Sequence, residues 1–600
     1  MNTIIRRNVL YFGICFIMCS CTGFLDTRQD VYDTMDRLKT RASTLDNFAA
    51  AYYTPMQSGF SIIDGNLFAA ASDEAQQSAS VSDVSIFNKG IVSPERNPLS
   101  YLYANYYEGI RAAQFFIDYA RDGEKLLALN RDTSTVYNPD GSIYSTDNPK
   151  EYKRDVINLQ WQRAEARIAQ AYYYAELIKM YGGVPIVSED VNNPTMKAAT
   201  YDEVVEHIVK LIDDNCDKVN LDWRVALTSN SDNVVADVSN WNFRDNIGRF
   251  DKTSALAIKA RVLLYAASPR NNPENLISKW ERAAAASAEV IALRKDIFSR
   301  GFGFGEDVRT YPSWKMPINR DYGAYFQSNN ATKDVESIFL IRQAAGNELE
   351  VNNYPVGTRG GNSGVCPSQN LVDAYEYIGD QTLNPYENKD PRFAATVVYN
   401  GSSWNGVNDF DQSPTGRFNQ KSKGASPTGY YLKKFLASNL NLVEGGKTDH
   451  IWVAYRYAEV LLNYAEAMNE AYGPDADPKG YGMSARDALN EIRNSASTLL
   501  KPIIVASKDD FRKAVKDERR IELAFEDHRY WDLIRWKDAS TILNRPIKGM
   551  VIRKNNLGGY IYSTTTIATR TFEQKQYYLP FSREEISNSN GTLTQNPMYN

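Results

Sequence analysis

The chain has 600 residues, of which 43% are hydrophobic and 24% charged, with a formal net charge of -5 and a mean hydropathy of -0.47. Those values fit a large water-soluble core, and a mildly acidic chain without a long basic run excludes charge-driven binding to nucleic acid or anionic lipid. Beyond the first 25 residues no apolar run reaches the ~20 residues that a membrane-crossing helix needs.

Arg6 and Arg7 precede an apolar run over 9–18, followed by Cys19-Ser20-Cys21. A positive start and an apolar stretch of about ten residues form the pattern of a secretory signal. Small Ser20 stands just before Cys21, so Cys21 resembles the lipid-modified first residue of a bacterial lipoprotein; bulky Met18 makes Cys19 a poorer choice. A plain cleaved signal and a buried N-terminal strand are the competing readings. Loss of residues 1–20 removes Arg6 and Arg7 and no acid, so the net charge moves from -5 to -7. Of five cysteines only Cys216 and Cys366 follow Cys21, which is neither a disulfide framework nor a metal-binding spacing, and whether the two are bridged stays open.

Helical periodicity dominates the rest of the chain. Ile157, Trp161, Ala164, Ile168, Ala171, Ala175 and Ile178 recur at alternating three- and four-residue steps, and the helix they predict stops at Gly182-Gly183 with Pro185 beyond. A second helix is predicted over 253–267, ending at Ser268-Pro269, and a third over 453–471. Shorter amphipathic stretches cover 201–215, 276–293, 484–494 and 508–525. Ala164, Ala166, Ala169 and Ala171 allow close helix approach, and paired helices rich in Ala and Tyr suggest degenerate tetratricopeptide repeats. Loops rich in Gly, Asn, Ser and Pro span 130–149, 300–332, 351–367 and 400–429, where binding residues are expected.

Enzymatic constellations are nearly absent. His207, His450 and His528 show no HExxH spacing, and neither a Gly-x-Ser-x-Gly elbow nor a Walker A loop occurs. Charged and aromatic residues interleave in 518–536, where Glu522, Glu526, Arg529, Asp532 and Arg535 read as paired scaffold charges.

The stretch RAEARIAQAYYYAELIKMYGGVPIV over 163–187 resembles the signature helix of the SusD/RagB family of outer-membrane nutrient-binding lipoproteins. FLD after Cys21, DGNLFAAASDEA from Asp64, GRFDKTSALAIKARVLLYAASP from Gly248 and PSQNLVDAYE from Pro367 agree with it. So do KDPRF from Lys389, RYAEVLLNYAEAMNE from Arg456, ALNEIR from Ala488, ERRIELAFEDHRYWDLIRW from Glu518 and the ending from Leu579. The resemblance implies an all-α fold of tetratricopeptide-like helix pairs with long irregular loops and minor β-hairpins. It divides the chain into a signal over 1–20 and a SusD-like domain over 21–600, with an N-terminal part over 21–230 and a C-terminal part over 231–600.

By the same resemblance, the protein is expected to sit on the outer membrane, anchored through lipid on Cys21 and facing outward. It would pass an oligo- or polysaccharide to a SusC-type TonB-dependent transporter without catalysis. The chain carries 39 tyrosines, 24 phenylalanines and nine tryptophans. Flat rings can cover the apolar face of a sugar, although such rings also serve ordinary interfaces. Residue type and loop placement select Phe87, Arg96 and Asn97, then Tyr311, Trp314, Tyr322 and Tyr325, then Trp404 and Asn405 as glycan-binding candidates. No cofactor is called for, and a loop-stiffening calcium is left open. The rival readings are a secreted α/α-toroid glycoside hydrolase and a helical-repeat scaffold binding only protein; a peptide cargo also stays open.

Overall fold

A computed structural model describes residues 42–129, 147–187, 197–223, 246–300, 321–495 and 500–599. The signal over 1–20, Cys21, the 230/231 division, most of the predicted loop over 130–149, and Tyr311 and Trp314 lie outside the described residues.

The helices of the scaffold are α1 (Ser43–Ala51), α2 (Ser100–Tyr119), α3 (Asp147–Tyr181), α4 (Tyr201–Asp213), α5 (Lys252–Ala267), α6 (Ile277–Arg300), α7 (Tyr457–Tyr472), α8 (Ala485–Arg493), α9 (Lys508–Glu522) and α10 (Arg529–Arg535). They form a continuous array: α2 packs on α3, α3 on α4, α4 on α5, α5 on α6, α6 on α7, and α7 on both α8 and α9. This is the helix-paired scaffold expected from the periodicity.

Local chemistry sets the ends. α3 stops where Gly182 adopts φ +79, a backbone state that costs glycine little. α4 and α5 start in capping boxes, Thr200 with Glu203 and Asp251 with Ser254, which satisfy amide groups that a helix start leaves free. α4 then buries Val204, Val205, Ile208, Leu211 and Ile212 on one face. α5 is buried nearly all round, with Ala255, Ala257, Ala260, Ala266 and Ala267 letting neighbours close in.

Among the elements that differ from expectation, two stand out. Ile451–Arg456 is strand rather than the start of α7. Its β-branched and aromatic residues fit a strand pattern as well as a helical one, and pairing with Ser337–Arg342 decides the outcome. α2 is not among the predicted helices, yet it buries Leu102, Tyr106, Ile110, Ala113 and Phe116 at helical spacing. Gly109 lies where α2 meets α3, and a Cβ there would stand 2.2 Å from the Tyr173 ring.

Strand content among the described residues is confined to four two-stranded antiparallel ladders: β1 (Ala75–Gln77) with β3 (Val365–Pro367), β2 (Ser337–Arg342) with β6 (Ile451–Arg456), β4 (Val397–Val398) with β5 (Tyr431–Leu432), and β7 (Ile547–Lys554) with β8 (Tyr560–Ala568). The last is a hairpin; the others join segments remote in sequence and pin the loop-rich part onto the array. Cys216 and Cys366 are buried and free. No helix among the described residues is long and apolar enough to cross a membrane.

Candidate functional site

A groove of about 470 Å³ opens where three loop-borne segments meet. One wall is the short helix Tyr322–Tyr325, capped by Asp321, whose Oδ1 accepts from the Ala324 amide at 2.9 Å. A second is the helix Pro391–Thr396, capped by Asp390. The chain following β5 supplies Lys433, Leu436 and Ser438, and Trp404 closes the rim.

Trp404 is presented by a tight turn. Trp404 and Val407 exchange both backbone hydrogen bonds at 2.9 Å, and Asn405 (φ 54) and Gly406 (φ 74) carry the positive φ values of a type I′ turn. The indole packs edge to face on buried Tyr354, with centroids 5.4 Å apart, so its position is fixed before any ligand arrives.

Beneath the groove lies a dense network of buried ions. The Arg392 guanidinium donates to Asp390, Glu518 and Glu522. Arg456 donates to Glu336, Glu522 and Glu526. Lys434 Nζ donates to Glu526 and to the Tyr322 hydroxyl at 2.7 Å each, and that hydroxyl donates to the Glu522 carbonyl at 2.8 Å. Burial alone would raise the Glu522 carboxyl, but Arg456 and Arg392 beside it hold it down at about 2. Burial lowers Lys434 to about 8 despite Glu526. Further along, Arg519 and Arg535 share Asp532, Arg535 reaches Glu466, and Arg520 and Arg529 clasp Asp73. Glu522, Glu526, Arg529, Asp532 and Arg535 among them are the charges expected to act as scaffold, and the mutual pairing avoids the cost of lone buried ions.

The structure brings Tyr322 and Trp404 together in the groove, at 6% and 8% exposure, so only a small part of each ring is open to a ligand. The remaining described candidates fall elsewhere. Phe87 lies in the short helix Val84–Asn88 rather than in a loop, and its ring is buried against Phe68 and Tyr530. Asn97 is buried too, its amide donating to the Pro580 carbonyl and its oxygen accepting from the Leu99 amide at the start of α2. Arg96 is exposed but does not line the groove. Tyr325 is buried, with its hydroxyl bonded to Ser337. Asn405 holds the turn and accepts from the Asn439 amide at 2.5 Å.

Asp321, Gln327, Lys433 and Ser438 supply the groove's polar groups and are not among the candidates chosen by residue type. Only the segment boundaries could point to them. No group of three or more His, Cys, Asp or Glu among the described residues could hold a metal ion.

Two family models match the chain: one described as "SusD family" over residues 323–599, and one described as "Starch-binding associating with outer membrane" over 23–240. Among curated relatives, SusD-like protein P2 of Formosa agariphila is 27% identical over 178 residues, 28% of this chain and 29% of that protein. SusD-like protein P38 of the same organism is 30% identical over 105 residues, 16% of this chain and 19% of that protein. The matches therefore span less than a third of these relatives' length. Among solved structures, a SusD-like protein of Bacteroides fragilis superposes with a TM-score of 0.68 at 22% identity, covering 95% of this chain and 99% of that one. A SusD-like carbohydrate-binding protein of the same species gives 0.66 at 19% identity, covering 92% and 99%. At such identities the likeness shows a shared fold.

Proposed function

Since the chain belongs to the SusD/RagB family, we propose that it is a surface lipoprotein of the outer membrane that captures an oligo- or polysaccharide and hands it to a SusC-type TonB-dependent transporter. The observation that carries this reading is the groove in which Trp404 and Tyr322 stand beside Asp321, Gln327, Lys433 and Ser438. Aromatic rings meet the apolar flank of a sugar while amide, hydroxyl, ammonium and carboxylate groups meet its hydroxyls. The ion network below keeps that floor rigid, so little ordering accompanies binding.

Cleavage of a glycosidic bond uses two carboxyl groups set across the sugar. Asp321 is the sole carboxylate among the described groove residues. Asp390, Glu518 and Glu522 lie behind Arg392 and are held by it. This favours holding a glycan over cutting it. A lipid on Cys21 would supply the tether, and the irregular loops the exposed face.

The test is affinity electrophoresis of the mature chain across a polysaccharide panel, with reducing ends measured in parallel. Retardation by at least one glycan is expected, without new reducing ends, and Trp404→Ala should weaken it by roughly 30-fold, the size of a binding hot spot. New reducing ends, or no retardation on any glycan, would sink the proposal.

A further inference from the structure

We propose a second saccharide-binding surface outside the groove: a platform formed by Tyr399, Tyr560 and Tyr562, suited to a neutral, hydroxyl-rich chain. The proposal rests on the glycan-binding reading above and extends it to a site of different construction. Tyr560 and Tyr562 stand two residues apart on β8, so both side chains leave the same face of the hairpin. Each is half-buried, as is Tyr399 at the end of β4. Buried Tyr386 forms the keystone, its ring centroid 4.7 Å from Tyr399 and 5.2 Å from Tyr562, and Tyr562 lies 6.2 Å from Tyr560. Phe393 backs Tyr399 as a stacked ring at 4.8 Å.

The hydroxyls are held as well. Asn400 Nδ2 donates to the Tyr562 hydroxyl at 3.1 Å, and the Tyr560 hydroxyl reaches the Asp409 carboxylate at 3.4 Å. A buried asparagine that fixes a half-exposed tyrosine keeps its ring in one orientation, which core packing alone does not require.

Charge selects the occupant. Lys554, opposite Tyr560 in the ladder, is paired with Asp411 and also lies 5.4 Å from the Tyr560 ring centre. Asp409 and Glu387 are exposed carboxylates at the rim. The rim therefore presents acceptors for hydroxyl protons and leaves excess negative charge, which repels uronate or sulfate groups.

The two sites share one loop. The chain over 399–412 starts at the platform, presents Trp404 to the groove, and returns to place Asp409 and Asp411 against the hairpin. A polymer gripped at both places gains from linkage without any new contact in the groove.

The test compares Trp404→Ala, the double variant Tyr560→Ala/Tyr562→Ala, and Tyr560→Phe/Tyr562→Phe, on the neutral polysaccharides that retard the parent chain and on alginate as a polyanion. The double alanine variant should weaken retardation by about tenfold, a stacking-sized effect, and the phenylalanine variant, which keeps the ring faces but loses the hydroxyl bonds that orient them, should weaken it by only about threefold. Unchanged retardation in the alanine variant, with loss in Trp404→Ala, would overturn the platform and leave the groove standing. Phenylalanine as damaging as alanine, or a parent chain retarded by alginate alone, would also overturn it. A parent chain that no glycan retards would remove both readings together.

Discussion

The helical array and the loop-built face hold themselves together by different means. In the array, backbones come close: α5 lines its surface with alanine, and Gly109 lets α2 rest on the Tyr173 ring. Most of the energy there comes from apolar burial, which is non-directional and spread over many residues, with ion pairs such as Arg261–Glu459 and Arg535–Glu466 added between helices. The loop-built face has few regular backbone ladders, and its segments are joined through charge. Arg392 ties Asp390 to Glu518 and Glu522, and Arg456 ties Glu336 to Glu522 and Glu526, so strands, loops and α9 meet on two guanidiniums. A binding surface made of loops needs fixed geometry, and directional bidentate pairs supply it where repeated hydrogen bonds do not.

Removing one ion should therefore hurt the loop face more than any comparable change in the array. Glu522→Gln strips the charge shared by Arg392 and Arg456 while preserving shape. The expected loss is about 3–5 kcal/mol, the usual cost of leaving a buried partner uncompensated, read as a lower midpoint in chemical denaturation. Hydrogen exchange should quicken around 390–396 and 451–456 before it does in α3. Uniform quickening across the chain would erase the distinction between the two regions.

Acidity offers a second way to sharpen it, through two buried glutamates shifted in opposite directions. Glu522 is held at about 2, below its ordinary 4.5, by Arg456 and Arg392 acting against burial. Its stabilisation is complete above pH 4.5 and is lost as pH falls towards 2, because the unfolded chain takes up the proton first. Glu74 is pushed up to about 8, chiefly by burial, and its Oε1 has no hydrogen-bond partner among the described residues. The folded chain keeps that proton while the unfolded chain loses it, so stability from this group declines as pH rises from 4.5 to 8. Glu74→Gln should flatten the decline between pH 5 and 8 and leave the acid limb unchanged, as followed by denaturant midpoints. An acid limb that vanished with Glu74 would place the sensitive carboxylate outside the Arg392 and Arg456 network.

How much of this is legible in the residues follows the same division. Helix stops at Gly182 and at Ser268-Pro269 are plain in the sequence, because capping and apolar spacing are local. The paired charges over 518–536 are readable as scaffold from their interleaving. The groove is not, since Pro391 and Lys433 are brought together by the ladder of β4 with β5, and Tyr322 and Trp404 join them from other segments, a pairing of remote stretches that leaves no periodic trace. One candidate carries a local signal of another role: Asn405-Gly406 is the dipeptide of a type I′ turn, which gives Asn405 a part in holding Trp404 in place. For Phe87, the loop placement read from the sequence fails, because it sits in the short helix Val84–Asn88 with its ring turned into the core.

The smallest expected effect tests the array's own principle. Gly109→Ala adds one methyl group 2.2 Å from the Tyr173 ring, where either the ring turns or α2 shifts away from α3. Tyr173 cannot turn freely, because its hydroxyl donates to the Tyr52 carbonyl at 2.7 Å and the ring lies against Tyr106 and Tyr172. The cost should be that of overpacking, about 1–3 kcal/mol, partly offset by alanine's better helix propensity of roughly 1 kcal/mol over glycine. Denaturation should show the modest net loss, and hydrogen exchange should place it along α2 and α3 while glycan retardation stays at the parent level. If Gly109→Ala instead weakened glycan binding as strongly as Trp404→Ala, the array and the groove would be mechanically coupled, and rigidity at the binding face would depend on helix packing as well as on buried charge.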